Sequence, residues 1–200
     1  MKIILLVMVG LIALVLVLAL VAFVAIGSSD GPKGPIPGGK LVKGELITES
    51  DLDWHEILGD EPVVEIELQL VNPEGSRTTG AFAYENNLYV PVDLGYIWRR
   101  APDRFARSIL RVIWFFKTWH KNAVTDGRVV VRFAGKRYEL SAVKVTDAAL
   151  LERFRELVSS AAEGYFGHFL PIETNSDDIW FFRLDARSSS LQLVTPESAK

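Results

Sequence analysis

The sequence predicts a mainly β, α+β domain, with antiparallel strands closed or partly closed into a barrel, or stacked as a sandwich, and flanked by helices. One N-terminal transmembrane helix precedes it. Three features predict this. Ile3–Ile26 is an apolar run broken only by Gly10. Val64–Leu70 alternates apolar and polar residues. Two short polar turns, Glu85-Asn86-Asn87 and Ala134-Gly135-Lys136, each join two strand-like runs.

The apolar run comes first. At 1.5 Å per residue its 24 residues reach about 36 Å, enough for a hydrocarbon core of about 30 Å. A cleaved signal peptide is the alternative, but signal h-regions run only about 7–15 residues. Sidedness stays open, because Lys2 precedes the run while Lys33, Lys40 and Lys43 follow it. Without this run the chain is about 43% apolar, ordinary for a soluble domain. The full 200 residues are 49% hydrophobic, carry a net charge of -3 and contain no cysteine. That excludes a disordered chain, a polytopic membrane protein and a disulfide scaffold.

Gly27–Lys40 reads GSSDGPKGPIPGGK, the composition of a linker that does not pack. The expected organisation is an anchor at 1–26, a Gly/Pro/Ser linker at 27–43, a folded domain at 44–187 and a flexible tail at 188–200. Within the domain, Ser50–Leu58 predicts a short helix capped by Ser50. Val64, Ile66, Leu68 and Leu70 form the buried side of a strand. Asn72-Pro73-Glu74-Gly75 is a turn. Thr78–Tyr84 and Leu88–Val92 make one hairpin, and Val129–Phe133 with Arg137–Val145 make a second. Ile179–Leu184 is the last strand. A helix is expected from about Pro102 to His120. Another starts at Thr146 or Asp147 and places Leu150, Phe154, Leu157, Val158 and Ala161 on one apolar face. Nothing in the pattern indicates a parallel sheet.

The chain has no G-x-G-x-x-G opening a helix, no P-loop and no G-x-S-x-G elbow. His55, His120 and His168 have no metal-ligand spacing, so no metal is expected. His55, among acids, reads as a solvated residue. Gly95–Lys121 concentrates charge: Arg99, Arg100, Arg104, Arg107, Arg111, Lys117 and Lys121 stand against Asp103 alone. Arg104, Arg107 and Arg111 share one helical face, and Trp98, Trp114 and Trp119 add amphipathic rings. This fits a basic amphipathic helix lying on anionic headgroups; the plain alternative is a surface helix packed by its apolar stripe. Nucleic acid is not expected, because the chain is acidic overall. A smaller group, Ser76-Arg77-Thr78-Thr79 with Trp119-His120-Lys121-Asn122, offers hydroxyls and cations suited to phosphate.

The order of these parts resembles the flavin- and deazaflavin-binding split β-barrel superfamily, the pyridoxamine-phosphate-oxidase-like proteins. The likeness rests on Arg77-Thr78-Thr79, the following GAFAYENNLYVPV, Trp119 with Asn122, Asp126-Gly127-Arg128, Val129, Val131, Gly135, Tyr138, and Val145 with Asp147. The deazaflavin-dependent nitroreductase branch looks nearest. The resemblance implies a split antiparallel barrel, homodimerisation, and a flavin mononucleotide or deazaflavin cofactor. By position, Arg77, Thr78, Thr79, Trp119, Lys121 and Asn122 would hold that cofactor.

The implied function is a membrane-anchored oxidoreductase reducing a quinone-like or nitro acceptor. No residue is singled out as catalytic, since the cofactor carries the hydride chemistry. A second reading is a non-catalytic module that binds the membrane surface or a partner protein; Glu74, a negative charge beside the expected phosphate site, favours it. A third is haem binding through one of the three histidines, and no residue prefers it.

Overall fold

A computed structural model of the protein describes residues 2–34, 36–94, 103–105, 108, 118–162 and 179–187. The helical elements are α1 (Lys2–Gly27), α2 (Trp54–Leu58), α3 (Trp119–Thr125) and α4 (Ala148–Ala162). The strands are β1 (Glu45–Ile47), β2 (Val64–Leu70), β3 (Gly75–Tyr84), β4 (Asn87–Asp93), β5 (Arg128–Phe133), β6 (Lys136–Lys144) and β7 (Ile179–Ala186).

The strands form one sheet in the order β1-β6-β5-β2-β3-β4-β7, and β6 also pairs with β7. That extra pairing closes β2 to β7 into an antiparallel barrel with helices around it, so the sandwich alternative falls. One edge of β6 is shared between two partners. Its first part, Lys136–Tyr138, takes β1, and its later part, Leu140–Lys144, takes β7. The β1 pairing is parallel, which the sequence pattern does not foresee. Three residues are too few to show a period.

Alternation sorts the strand side chains into an interior and an exterior set. Ile66, Leu68, Leu70, Ala81, Leu88, Val90, Val129, Val131, Leu140, Phe182 and Leu184 fill the interior and are almost fully buried. The exterior set is dry on one side, where Phe82, Tyr89 and Phe181 pack under Phe154 of α4. Asp147 caps α4, accepting the Leu150 N–H at 2.8 Å. The β3–β4 turn is two residues, Glu85 and Asn86, both at positive φ (46° and 62°), the backbone that a tight hairpin needs.

Helices close the two barrel ends. At the end holding the β3–β4 turn, α2 inserts Trp54 and Leu58 into the core, and Trp54 lies 5.1 Å from Tyr138. Its N-cap is Asp53, not the expected Ser50: the Asp53 carboxylate accepts the N–H groups of His55 and Glu56. At the opposite end, where β2 finishes and β3 begins, α3 inserts Trp119 and Ala123.

Two expectations are corrected here, and a third lies mostly outside the described residues. The helix expected over 102–120 falls mostly outside the described residues, Arg107 and Arg111 included. Its supposed last turn belongs instead to α3, which starts after Thr118. Trp119 is not an interfacial ring; it is 3% exposed and packs on Phe182 at 5.7 Å. The barrel end offers an apolar cavity that an indole fills better than water does. The stretch expected as an unpacked linker lies against the barrel wall. Gly38 and Ser76 exchange both backbone hydrogen bonds (3.0 and 2.9 Å), and the buried Gln69 side chain accepts the Leu41 N–H at 2.7 Å.

α1 is a 26-residue helix whose side chains, where described, are all exposed. Counted over described side chains alone, no helix is long and apolar enough to cross a membrane. The longest such run on α1 is 8–18.

Candidate functional site

β3 opens with Gly75, Ser76, Arg77, Thr78 and Thr79, at the barrel end closed by α3. Arg77 stands opposite Leu68, and Thr79 opposite Ile66; both partners belong to the interior core. Opposed residues of an antiparallel pair share a face, so Arg77 and Thr79 face inward. Thr78 stands opposite Glu67 and faces outward. The three consecutive residues therefore do not form one grip, because a strand alternates its side chains.

Inside, the Arg77 guanidinium lies over Trp119, 5.4 Å from the ring centroid. Its buried Nε has no hydrogen-bond acceptor among the described residues. Burial lowers the Arg77 pKa from its ordinary value to about 10. Trp119 leads on through a chain of aromatic contacts. Phe182 is 5.7 Å away, and Trp180 lies 6.5 Å beyond it. His120, 3% exposed, meets Trp180 edge-on at 5.3 Å. Lys144 Nζ sits 3.4 Å from the Trp180 ring centroid. Two cations, each over an indole, thus occupy the same barrel end.

Of the six expected cofactor residues, the structure joins Arg77 to Trp119 and puts Thr79 on the same face. Lys121 is exposed on α3, and Asn122 is half-buried, with its backbone carbonyl accepting the Asp126 N–H at 2.8 Å. Sequence reasoning missed Lys144 and Trp180. The signal was available: Leu140, Ala142 and Lys144 share the inward parity of β6, so a cation stands at an interior position.

Several residues that carry the resemblance have structural work. Asp126 binds the Arg128 guanidinium and backbone N–H, and those bonds lower its carboxyl to about 2. A Cβ on Gly127 would lie 2.6 Å from the Ala142 carbonyl oxygen, so only glycine allows this approach. Glu74 faces Lys40 at 3.9 Å, both largely exposed, a contact worth little.

A concavity of about 230 Å³ lies outside the barrel, between Tyr89, Arg183 and the start of α4. Burial raises the Tyr89 phenol pKa, partly offset by Arg183, and Arg183 is itself held by Asp185 at 2.7 Å. This groove is smaller than common ligand pockets of about 300–1,000 Å³. Among the described residues no cluster of three or more His, Asp or Glu side chains is arranged to hold a metal.

For a phosphate-bearing planar cofactor the fit is partial: Arg77 offers a guanidinium whose Nε has no acceptor among the described residues, but the Trp119 ring is 3% exposed and already packed against Arg77 and Phe182. Thr78 and Lys121 do not converge on Arg77 and Trp119.

No family model and no curated protein matches this sequence. One solved structure, a Listeria innocua protein named for pyridoxamine 5'-phosphate oxidase (an assignment its own description leaves provisional), is 15% identical with a TM-score of 0.38. The match covers 64% of this chain and 86% of that one. The barrel stands on its own strand pairing, independent of this similarity.

Proposed function

We propose that this chain is a membrane-anchored split-barrel protein. On this reading it holds flavin mononucleotide or a deazaflavin by its phosphate, at the barrel end formed by Arg77 and Trp119. Arg77 is the observation that carries the reading. A desolvated guanidinium with an unsatisfied Nε is stabilised by an arriving anion. Thr79 lies on the same face, and Lys144 adds a second cation at the same end. The cofactor would supply hydride chemistry toward a quinone-like or nitro acceptor, as in the deazaflavin-dependent nitroreductases that the sequence resembles. The chain's own residues would neutralise and orient it.

The anchor is α1. It carries no charged side chain after Lys2, and its described side chains are exposed on every face. A helix apolar all round is matched by lipid and not by water. Arg104, Arg107 and Arg111 would then meet anionic headgroups, and two copies would complete the homodimer that the resemblance implies.

The test is an absorption spectrum of the full-length protein in detergent, with titrations of flavin mononucleotide and of a deazaflavin. We expect cofactor absorbance or micromolar binding, about tenfold weaker in Arg77→Met. Neither absorbance nor binding at high micromolar concentration overturns the cofactor reading. Full-length protein should also sediment with membranes, and removal of residues 2–27 should release it.

A non-catalytic module is the second reading. The divergence of Thr78 and Lys121 from Arg77 favours it. Liposome sedimentation separates the two: under this reading, charge reversal at Arg104, Arg107 and Arg111 abolishes binding to anionic vesicles while flavins never bind.

A further inference from the structure

The stretch between α1 and β1 has the composition of a flexible linker and the contacts of a clamp. Asp30 accepts the Val42 and Lys43 N–H groups at 2.7 and 3.3 Å, and its two oxygens each lie 3.0 Å from Arg132 Nη1. Arg132 also binds Glu67 on the neighbouring strand. Leu41 is 1% exposed, and Ser76, which donates its hydroxyl to the Gly39 carbonyl at 2.5 Å, is fully buried.

The glycines in this stretch permit contact. A Cβ on Gly38 would sit 1.8 Å from the Gly31 carbonyl oxygen. A Cβ on Gly39 would sit 2.4 Å from the carbonyl oxygen of Gly27, the last residue of α1. The Gly39 N–H is bonded to the Ser29 carbonyl at 3.1 Å. The end of α1 is therefore packed on Gly39, and Gly39 is bonded to Ser76. Ser76 is the second residue of β3, and the next residue is Arg77.

We infer that residues 28–34 and 36–44 form a rigid strap that holds the Arg77–Trp119 end of the barrel at the bilayer surface, so that this end faces the headgroup layer. The inference rests on the proposed membrane span of α1. It goes further in naming which barrel end meets the lipid, and in fitting the site to a ligand that partitions into the membrane with an anionic group. A free tether would let the barrel tumble and expose either end equally. A strap fixed at Gly38, Gly39, Leu41 and Asp30 does not.

The absence of cysteine makes the test clean. Val124→Cys places a fluorophore on α3 at the site end, and Lys136→Cys places one at the opposite end; both positions are exposed. Energy transfer to a headgroup-labelled lipid is measured on full-length protein in vesicles. Strand rise and barrel tilt over the ten residues of β3 give an expected difference of about 20 Å, with Val124→Cys nearer the bilayer. Equal transfer from both sites, or greater transfer from Lys136→Cys, overturns the inference while leaving the anchor intact. Protein that never enters the vesicles overturns the anchor and the inference together. Gly39→Val should collapse the difference between the labels. Asp30→Asn is the milder variant should Gly39→Val not fold, and an unchanged difference in whichever variant folds also overturns the strap.

Discussion

Asp30 and Arg132 are 102 residues apart in sequence, yet both Asp30 carboxylate oxygens lie 3.0 Å from Arg132 Nη1. Burial pushes the Asp30 carboxyl up, but the Val42 and Lys43 N–H groups and Arg132 outweigh it, and its pKa falls below 3.8. A carboxyl depressed on folding contributes stability that is complete above its unfolded value. That stability is lost as pH falls through the folded value. Unfolding midpoints should therefore drop as pH falls below about 4, and Asp30→Asn should flatten that part of the profile. At neutral pH, Arg132→Met should cost about 1.5–3 kcal/mol, because it leaves Asp30 and Glu67 with unpaired charge. Denaturant titration of both variants checks this. A profile in Asp30→Asn as steep as in the parent would remove the ion pair from the account.

Gly38 and Gly75 are glycines in different settings. A Cβ at Gly38 meets backbone at 1.8 Å, whereas at Gly75 the nearest atom is 4.0 Å away. Gly38→Ala should cost about 1–3 kcal/mol through overpacking, and Gly75→Ala should stay within about 0.5 kcal/mol. Limited proteolysis gives a second readout. Only Gly38→Ala should speed cleavage between residues 28 and 44, since only that change pries the strap from the wall.

The barrel strands were legible because their physics is local. Val64, Ile66, Leu68 and Leu70 alternate with polar residues, and the tight turns at Glu85-Asn86 and Ala134-Gly135 mark both hairpins. The face of Arg77 was legible too: strand period alone separates Arg77 and Thr79 from Thr78. The docking of Gly38 was not, since glycine for flexibility and glycine for close approach give the same composition. Trp119 misled because charged neighbours in sequence suggested an interface, while closure of the barrel decided its burial. The β1 pairing needed Gly135 and Glu45 brought together, a contact of high sequence separation with no local signal.

Phe154 is fully buried and touches four aromatic rings, those of Phe82, Tyr84, Tyr89 and Phe181, at 4.5–5.3 Å. With Leu150, Leu151 and Leu157 beside it, Phe154 packs α4 onto the outer wall. Phe154→Ala should cost about 3–5 kcal/mol, with the cavity adding to the lost transfer energy. Phe154→Leu should keep most of the volume and cost less. Thermal unfolding checks the order. Equal losses would mean that ring contacts, rather than filled space, hold α4 to the barrel.

Arg77 should behave as a residue kept at a cost to the unliganded fold. Burial lowers its folded pKa to about 10, below the ordinary guanidinium value, so folding penalises the charged form. That penalty is fully present below about pH 10 and fades as pH rises toward the ordinary guanidinium value. At pH 7, Arg77→Met retains the stem that packs on Trp119 and removes the charge, so the ligand-free variant should be more stable by about 1–3 kcal/mol. Saturating flavin mononucleotide should raise the melting temperature of the parent, and the same concentration should raise that of Arg77→Met by less. Arg77→Lys should recover part of the ligand response, because an ammonium keeps the charge without the planar stack on the indole. A ligand-free Arg77→Met protein less stable than the parent would mean that the guanidinium holds the barrel end together, and that its stacking on Trp119 is structural.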